Sequence, residues 1–262
     1  VAQKKFYVVW AGRKTGIYTD WASCKDQVDG FAGARYKSFP TRTEAEAAFS
    51  GGSGASRSTT TSTTTKASNG KRPSNRQTVK TYDATEIASL KFDTFIYTDG
   101  GCEPNPGEAG SGMAVYRGGE ISELWYGLYN PKGTNNTAEL HALFQALLLA
   151  EDELVKKRTV VILCDSKYSI QCITQWAAGW KKKGWKKAGG EIKNLELIQD
   201  MYALYEGIRL HVQLLHVNGH VGVEGNELAD RMSIMAIAEQ NSDFDRYSKT
   251  IDIKEILALR AG

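Results

Sequence analysis

Four acidic residues have types and settings that could serve one chemical task. Asp99 ends a strand-like run just before Gly100-Gly101, and Glu139 falls in the first turn of an expected helix. Asp165 closes a second strand-like run and opens a helix, while Asp230 lies in a helix after a glycine-rich loop. Taken singly, each reads as a helix cap or as surface charge. Gathered at the strand ends of an α/β sheet, where ligands usually bind, they need a reason, because carboxylates in one site repel and raise each other's pKa. Mg²⁺ supplies that reason, being a hard cation that takes few carboxylates, several waters and phosphate oxygens. Two such ions ~4 Å apart stabilise the attacking and leaving oxygens of an in-line phosphoryl displacement.

The elements that must position these acids can be read from periodicity. Residues 92–98 form a strand, and residues 111–117 and 121–129 form two more, joined by a hairpin turn at Gly118-Gly119. Thr137 is the expected cap of a helix whose apolar stripe is Leu140, Leu143, Phe144, Leu147 and Leu148. Residues 159–164 are β-branched and read as a buried strand; a helix follows from Ser166, and residues 210–217 read as another strand. A last helix, starting near Asn226, turns Leu228, Met232 and Met235 inward. A meander followed by alternating strands and helices implies a mixed sheet flanked by helices.

Composition divides the chain into four parts. Residues 1–50 form a small module with eight basic and five acidic side chains, a strand-like run at 6–10 and a capping pattern at Thr43 and Glu46. Residues 51–91 are read as a flexible basic linker, rich in Gly, Ser and Thr at its start. Residues 92–242 form the α/β domain, and 243–262 a tail with a short helix through Ile251, Ile253, Ile256 and Leu257, to which no role is assigned. From residue 93 onward the chain carries eighteen basic and twenty-three acidic side chains, yet five lysines crowd into residues 181–187. A basic first third suits a polyanionic partner, and a basic cluster within an acidic domain has a local task.

No apolar run approaches the ~20 residues that span a bilayer, so no membrane partner is expected. Cys24, Cys102, Cys164 and Cys172 are widely spread and form no CxxC pair. They read as reduced thiols of an intracellular protein, cytoplasmic with a nuclear or organellar place left open, and their spacing with the histidines does not resemble a zinc site. The chain starts at Val1, as a trimmed protein would, and a removed targeting segment would leave no trace here.

The motifs then combine. Tyr97-Thr98-Asp99-Gly100-Gly101-Cys102, Asn105-Pro106-Gly107, Thr134-Asn135-Asn136-Thr137-Ala138-Glu139-Leu140 and Cys164-Asp165-Ser166 are followed by Gly219-His220-Val221-Gly222 and Gly225-Asn226-Glu227-Leu228-Ala229-Asp230. In this order they resemble the catalytic domain of type 1 ribonuclease H over residues 93–242. The resemblance implies an α/β fold with a mixed five-stranded sheet flanked by helices, the first three strands antiparallel. It implies an endoribonuclease that cuts the RNA strand of RNA–DNA hybrids to leave 5′-phosphates. The implied site is Asp99, Glu139, Asp165 and Asp230 holding two Mg²⁺ ions, with Mn²⁺ as a substitute, and His220 as a mobile proton shuttle or product-release aid.

The same resemblance places Cys102, Asn105, Asn135 and Asn136 along the RNA strand, where amides can read 2′-hydroxyls. The Asn residues are also ordinary turn formers. It assigns Lys132, Thr134 and Asn194 to a phosphate pocket for the DNA strand, and Tyr168 and Trp176 to packing on that strand or in the core. Lys132 stands where human-type enzymes carry Arg, so a bidentate contact becomes a point charge. The three Trp and five Lys of residues 176–187 resemble the family's basic protrusion.

Residues 5–49 resemble the small α/β hybrid-binding module found ahead of many such enzymes and also in a viral inclusion-body protein. The carrying residues are Phe6-Tyr7-Val8-Val9, residues 12–18, Trp21, Cys24, Gln27-Val28 and Ala34-Arg35-Tyr36-Lys37-Ser38-Phe39. Tyr7, Trp21, Tyr36 and Lys37 are implied in duplex contact, while Ser38 departs from a pattern that often has a second Lys. Tyr7 and Trp21 could instead build a small core. A monomer acting on RNA–DNA hybrid is expected, its module raising local substrate concentration and processivity. A hybrid-binding protein with a dead nuclease fold, a reverse-transcriptase fragment and a DNA resolvase or transposase stand as rivals.

Overall fold

The computed structural model describes residues 6–29, 31, 34–39, 41–50, 78–187, 189–219 and 222–262. The chain divides into two units, residues 1–73 and 74–262.

The first unit contains β1 (Phe6–Ala11), β2 (Gly16–Tyr18), α1 (Trp21–Val28), β3 (Arg35–Phe39) and α2 (Arg42–Ser50). The strands form an antiparallel sheet in the order β2-β1-β3. Strand alternation sends Val9 toward α1, where it packs with Cys24 and Val28. Asp20 caps α1 by accepting from Ser23 N–H at 2.8 Å. The expected cap of α2 at Thr43 is corrected: Thr41 accepts from Glu44 N–H at 3.3 Å, and Thr43 lies inside the helix. Thr41-x-x-Glu44 has the same spacing two residues earlier, and Glu46 pairs with Arg42 instead.

The second unit begins with β4 (Thr81–Tyr82) and α3 (Ala84–Ala88), followed by β5 (Thr94–Glu103), β6 (Gly107–Arg117), β7 (Glu120–Gly133) and α4 (Asn135–Val155). Next come β8 (Val160–Cys164), α5 (Lys167–Gln171), a π-helical turn at Cys172–Trp176 and α6 (Ala177–Lys182). The chain continues through α7 (Leu195–Ile208), β9 (Val212–Val217), α8 (Glu224–Glu239), β10 (Phe244–Arg246) and α9 (Ile253–Leu257). The sheet order is β10-β7-β6-β5-β8-β9-β4. β5, β6 and β7 are antiparallel, and β8 and β9 add parallel to β5. These five strands are the mixed sheet anticipated from the sequence, and two short strands extend its edges.

Both edge strands come from segments expected to lie outside the domain. Residues 81–88 of the anticipated linker fold onto the second unit, because Tyr82 and Ile87 have an apolar cluster to join. The tail adds β10 against β7 and α9, whose Ile256 is buried in the same cluster.

Alternation along the strands builds a core on each face of the sheet. Ile96 and Ile162 face Leu140, Leu143 and Leu147 of α4. Their neighbours Tyr97, Val161 and Leu163 face Leu228 and Met232 of α8. Gly118 and Gly119 carry the positive φ values that close the hairpin between β6 and β7.

Candidate active site

The register of the central strands brings the acids together. Thr98 pairs with Cys164 across β5 and β8, so the following residues, Asp99 and Asp165, are neighbours where β8 ends. Asp99 was expected at a strand end, yet β5 runs through it to Glu103, because β6 continues to pair with it as far as Glu108. Gly100 lets α4 approach: a Cβ there would lie 2.3 Å from the backbone N of Glu139. The helix itself starts earlier than expected. Its cap is Thr134, in extended conformation, whose Oγ1 accepts from Thr137 N–H at 3.2 Å. Thr137 is therefore inside the helix, and Glu139 opens its second turn. Asp230 comes from α8, packed on the same sheet end.

Asp99, Glu139, Asp165 and Asp230 all line one cavity of about 470 Å³. Asp99, Glu139 and Asp230 are buried. Burial, then the charges of Asp165 and Asp230, push the Asp99 carboxyl well above the usual carboxylate range, and the Gly100 N–H at 2.8 Å offsets only part of this. Burial, then Asp99 and Asp165, raise Glu139 in the same way. Asp230 has local counter-charge from Arg231 and accepts from the Gly262 N–H at 3.1 Å.

These groups fit hard divalent cations. Glu139 Oε2 is buried with no hydrogen-bond partner, an uncompensated acceptor that a cation would satisfy. Glu139, Cys164 and Asp165 each offer a donor atom within 4.8 Å of the others. Burial, then Glu139 and Asp165, raise the Cys164 thiol well above its ordinary value. A neutral, soft thiol suits Mg²⁺ poorly, so the oxygen donors of the four acids are the better ligand set.

The other residues singled out in the sequence fall into several groups. Cys102 and Asn135 line the cavity of the acids; Cys102 Sγ lies 3.7 Å from the Gly133 carbonyl, and Asn135 N–H donates to Asn105 Oδ1 at 3.3 Å. Asn136 is exposed on the first turn of α4. Thr134 is linked to Asn194 through Thr137: the two threonine hydroxyls are 2.8 Å apart, and Thr137 Oγ1 donates to Asn194 Oδ1 at 3.2 Å. Thr137 and Asn194 line a separate cavity of about 380 Å³, and Lys132 is exposed on β7. Tyr168 and Trp176 are half-buried and meet edge to face at 5.9 Å. One lysine of the basic cluster, Lys181, is paired with Glu206. His220 lies outside the described residues.

In the first unit Trp21 bridges Tyr7 at 5.5 Å and Tyr36 at 5.7 Å. Trp21 is 44% and Tyr36 47% exposed, whereas Tyr7 is half-buried and packs against Val9, Cys24 and Val28. Lys37 is opposite Val8, on the other face of β3, with Nζ 5.6 Å from the Phe39 ring.

Two polar residues of the site were given no role in the sequence reading. Asn226, buried in α8, donates to Asp165 Oδ2 at 3.4 Å. It stood within a quoted motif, and only its place one helical turn before Asp230 on the buried face of α8 marked it. His216, on β9, lies 3.0 Å from the Asp165 carbonyl oxygen. Burial, then the charge of Lys167, lower its imidazole pKa.

Comparison with known proteins gives matches over both units. The family described as RNase H matches residues 91–238, and the one described as Ribonuclease H1 N-terminal domain matches residues 5–49. Ribonuclease H1 of Mus musculus is 34% identical over 256 residues, covering 87% of each chain. Ribonuclease H1 of Homo sapiens is 34% identical over 255 residues with the same coverage. Ribonuclease H of Pseudomonas aeruginosa is 41% identical over 152 residues, 57% of this chain and 96% of its own. Among solved structures, LC9-RNase H1, described as a type 1 RNase H with the type 2 active-site motif, superposes with a TM-score of 0.51 at 26% identity. It covers 63% of this chain and 81% of its own.

Proposed function

Because this chain belongs to the ribonuclease H family, as a type 1 enzyme with an amino-terminal hybrid-binding domain, we propose that it hydrolyses the RNA strand of RNA–DNA hybrids endonucleolytically, with two divalent metal ions. The observation that carries the metal part is the convergence of four carboxylates on one cavity, with Glu139 Oε2 buried and unpartnered. Asp99, Glu139, Asp165 and Asp230 would hold Mg²⁺, with Mn²⁺ as a substitute. When bound, the ions supply charge stabilisation to the attacking and leaving oxygens, leaving a 5′-phosphate on the RNA.

The chain's own residues then have distinct tasks. Cys102, Asn105, Asn135 and Asn136 lie along the RNA strand, and the amides discriminate it by its 2′-hydroxyls. Lys132, Thr134 and Asn194 receive a DNA phosphate, with Tyr168 and Trp176 against the adjoining sugar. Tyr7, Trp21, Tyr36 and Lys37 hold the duplex on the module. His220 moves a proton or aids product departure. His220→Ala is therefore expected to lower kcat without changing the metal requirement, and an unchanged rate across pH removes it from the site.

An end-labelled cleavage assay compares hybrid, double-stranded RNA, single-stranded RNA and double-stranded DNA, with Mg²⁺ and with chelator. Cutting of the hybrid's RNA strand alone, lost in chelator and restored by Mg²⁺, is the expected result. Cutting of double-stranded DNA with inertness on hybrid overturns the substrate assignment, and full activity in chelator overturns the metal assignment.

A further inference from the structure

We propose that His216 is a positioning residue for Asp165, and that Thr81, from the edge strand β4, completes it as a hydrogen-bonded relay of position. The proposal rests on the reading of Asp165 as a metal ligand.

The geometry assigns each hydrogen. His216 Nε2 is 3.0 Å from the Asp165 carbonyl oxygen, which can only accept, so Nε2 carries the proton. In the neutral ring Nδ1 is then an acceptor. Thr81 Oγ1 lies 2.9 Å from it, so the threonine hydroxyl donates. One ring thus ties three chain segments, with Thr81 and His216 135 residues apart in sequence.

The relay acts where the sheet stops. Cys164↔His216 is the last register pair of β8 and β9, so Asp165 stands one residue beyond the ladder. Its carbonyl is held by the imidazole, and its Oδ2 accepts from Asn226. Fixing the carbonyl fixes the peptide plane and hence the direction in which the carboxylate leaves Cα. A metal ligand must be held to within ~0.5 Å of its working position.

Thr81 is itself anchored. β4 pairs parallel with β9, with Thr81↔His216 and Tyr82↔Val217 in register. The following helix has a reciprocal cap between Asp83 and Glu86, and its Ile87 is buried. A two-residue strand makes few ladder bonds, so α3 supplies the docking energy that keeps the hydroxyl in place. Thr81, on the edge strand of the second unit, thus belongs to the support of the site rather than to its ligands.

The test uses the full chain. His216→Phe keeps a ring and removes both nitrogens. Thr81→Val keeps the shape and removes the donor, and Thr81→Ser restores it. Mn²⁺ affinity is measured on the free protein by spin-probe titration, together with kcat and KM on one hybrid. Loss of a hydrogen-bond partner behind a metal ligand typically weakens metal binding about 10–100-fold. We expect His216→Phe to reach that range and Thr81→Val to show a smaller loss. Both should lower kcat with KM nearly unchanged, and Thr81→Ser should recover wild-type behaviour. Wild-type Mn²⁺ affinity in a folded Thr81→Val protein overturns the relay, even if His216→Phe fails to fold. Absence of Mn²⁺ binding by the wild type overturns the metal-site reading itself, a separate outcome.

Discussion

Asp99 and Glu139 are buried carboxyls whose neighbours are mostly other acids, and this has an energetic consequence at the level of single residues. Each has a folded-state pKa above its unfolded value. Its contribution is therefore fully present below the unfolded pKa and is lost as pH rises through the folded one. At neutral pH without metal the site opposes folding. Glu139→Gln keeps the shape and removes the charge, so in chelator it should melt at a higher temperature than wild type. The same variant should abolish cleavage while leaving hybrid binding largely intact. A cleavage rate near wild type refutes the assignment of Glu139, whatever the melting temperature does. The four acids were legible in the sequence because each sits inside a recognisable motif. Asn226 and His216 were not assigned roles, because their importance is a contact with Asp165 that folding alone creates. The pattern of β9 marks His216 only as one more strand residue.

At the level of elements, the site depends on how closely β5 and α4 approach. A methyl group on Gly100 would lie 2.3 Å from Glu139 N and 2.4 Å from Ala138 C, both backbone atoms that cannot rotate away. Gly100→Ala should push helix from strand, lower stability by about 1–3 kcal/mol and abolish cleavage. Chemical denaturation and the cleavage assay read the two effects, and near-normal values in both would show that the approach is not needed. At the far end of α4, Glu153 is fully buried and binds Arg117, Arg158, Lys156 and Thr94. Burial alone would raise its pKa, but the hydrogen bonds from Arg158, Arg117, Lys156 and Thr94 win and hold it at about 2. This depressed value stabilises the fold above the ordinary carboxylate pKa and loses that contribution as pH falls toward 2. Glu153→Gln should cost about 3 kcal/mol at neutral pH, because Arg117, Arg158 and Lys156 lose the carboxylate they share and Arg117 keeps only Glu123, and the gap to wild type should close in acid. A pH-independent difference would rule out charge as the cause. The buried run of β8 and the stripe of α4 were readable from periodicity, except that Leu148, expected on the stripe, falls at the edge of the buried face and is 39% exposed. The caps were not, because Thr134 and Thr137, like Thr41 and Thr43, offer competing starts that only packing resolves. β4 was also hidden, since a two-residue strand leaves no periodic trace.

For the molecule as a whole, charge and aromatic surface divide the labour between the two units. Residues 1–50 carry eight basic and five acidic side chains, whereas residues 93–262 carry eighteen and twenty-three. The chain downstream of the linker thus has little net attraction for a polyanion, apart from local lysines such as Lys182, Lys183, Lys186 and Lys187. The first unit adds the exposed rings of Trp21 and Tyr36, with the half-buried Tyr7 packed beside Trp21 at 5.5 Å. Tethering such a surface to the nuclease raises the local substrate concentration without adding any contact at the acids. Removing residues 1–50 should therefore spare the chemical step. It should shorten the run of cuts made per encounter, and the salt dependence of hybrid binding should become shallower as phosphate contacts are lost. Trp21→Ala in the full chain is the sharper variant, because it removes the ring that joins Tyr7 and Tyr36 while leaving every charge in place. Loss of a tryptophan at an interface hot spot costs about 2 kcal/mol or more, so binding should weaken at least about 30-fold with an unchanged salt slope. Lys37→Ala, on the opposite face of β3, should instead lower that slope by about one phosphate contact. Product lengths under trap conditions, and binding at several salt concentrations, measure both. Equal processivity in wild type and in the protein lacking residues 1–50 would confine the first unit to some task other than holding the substrate.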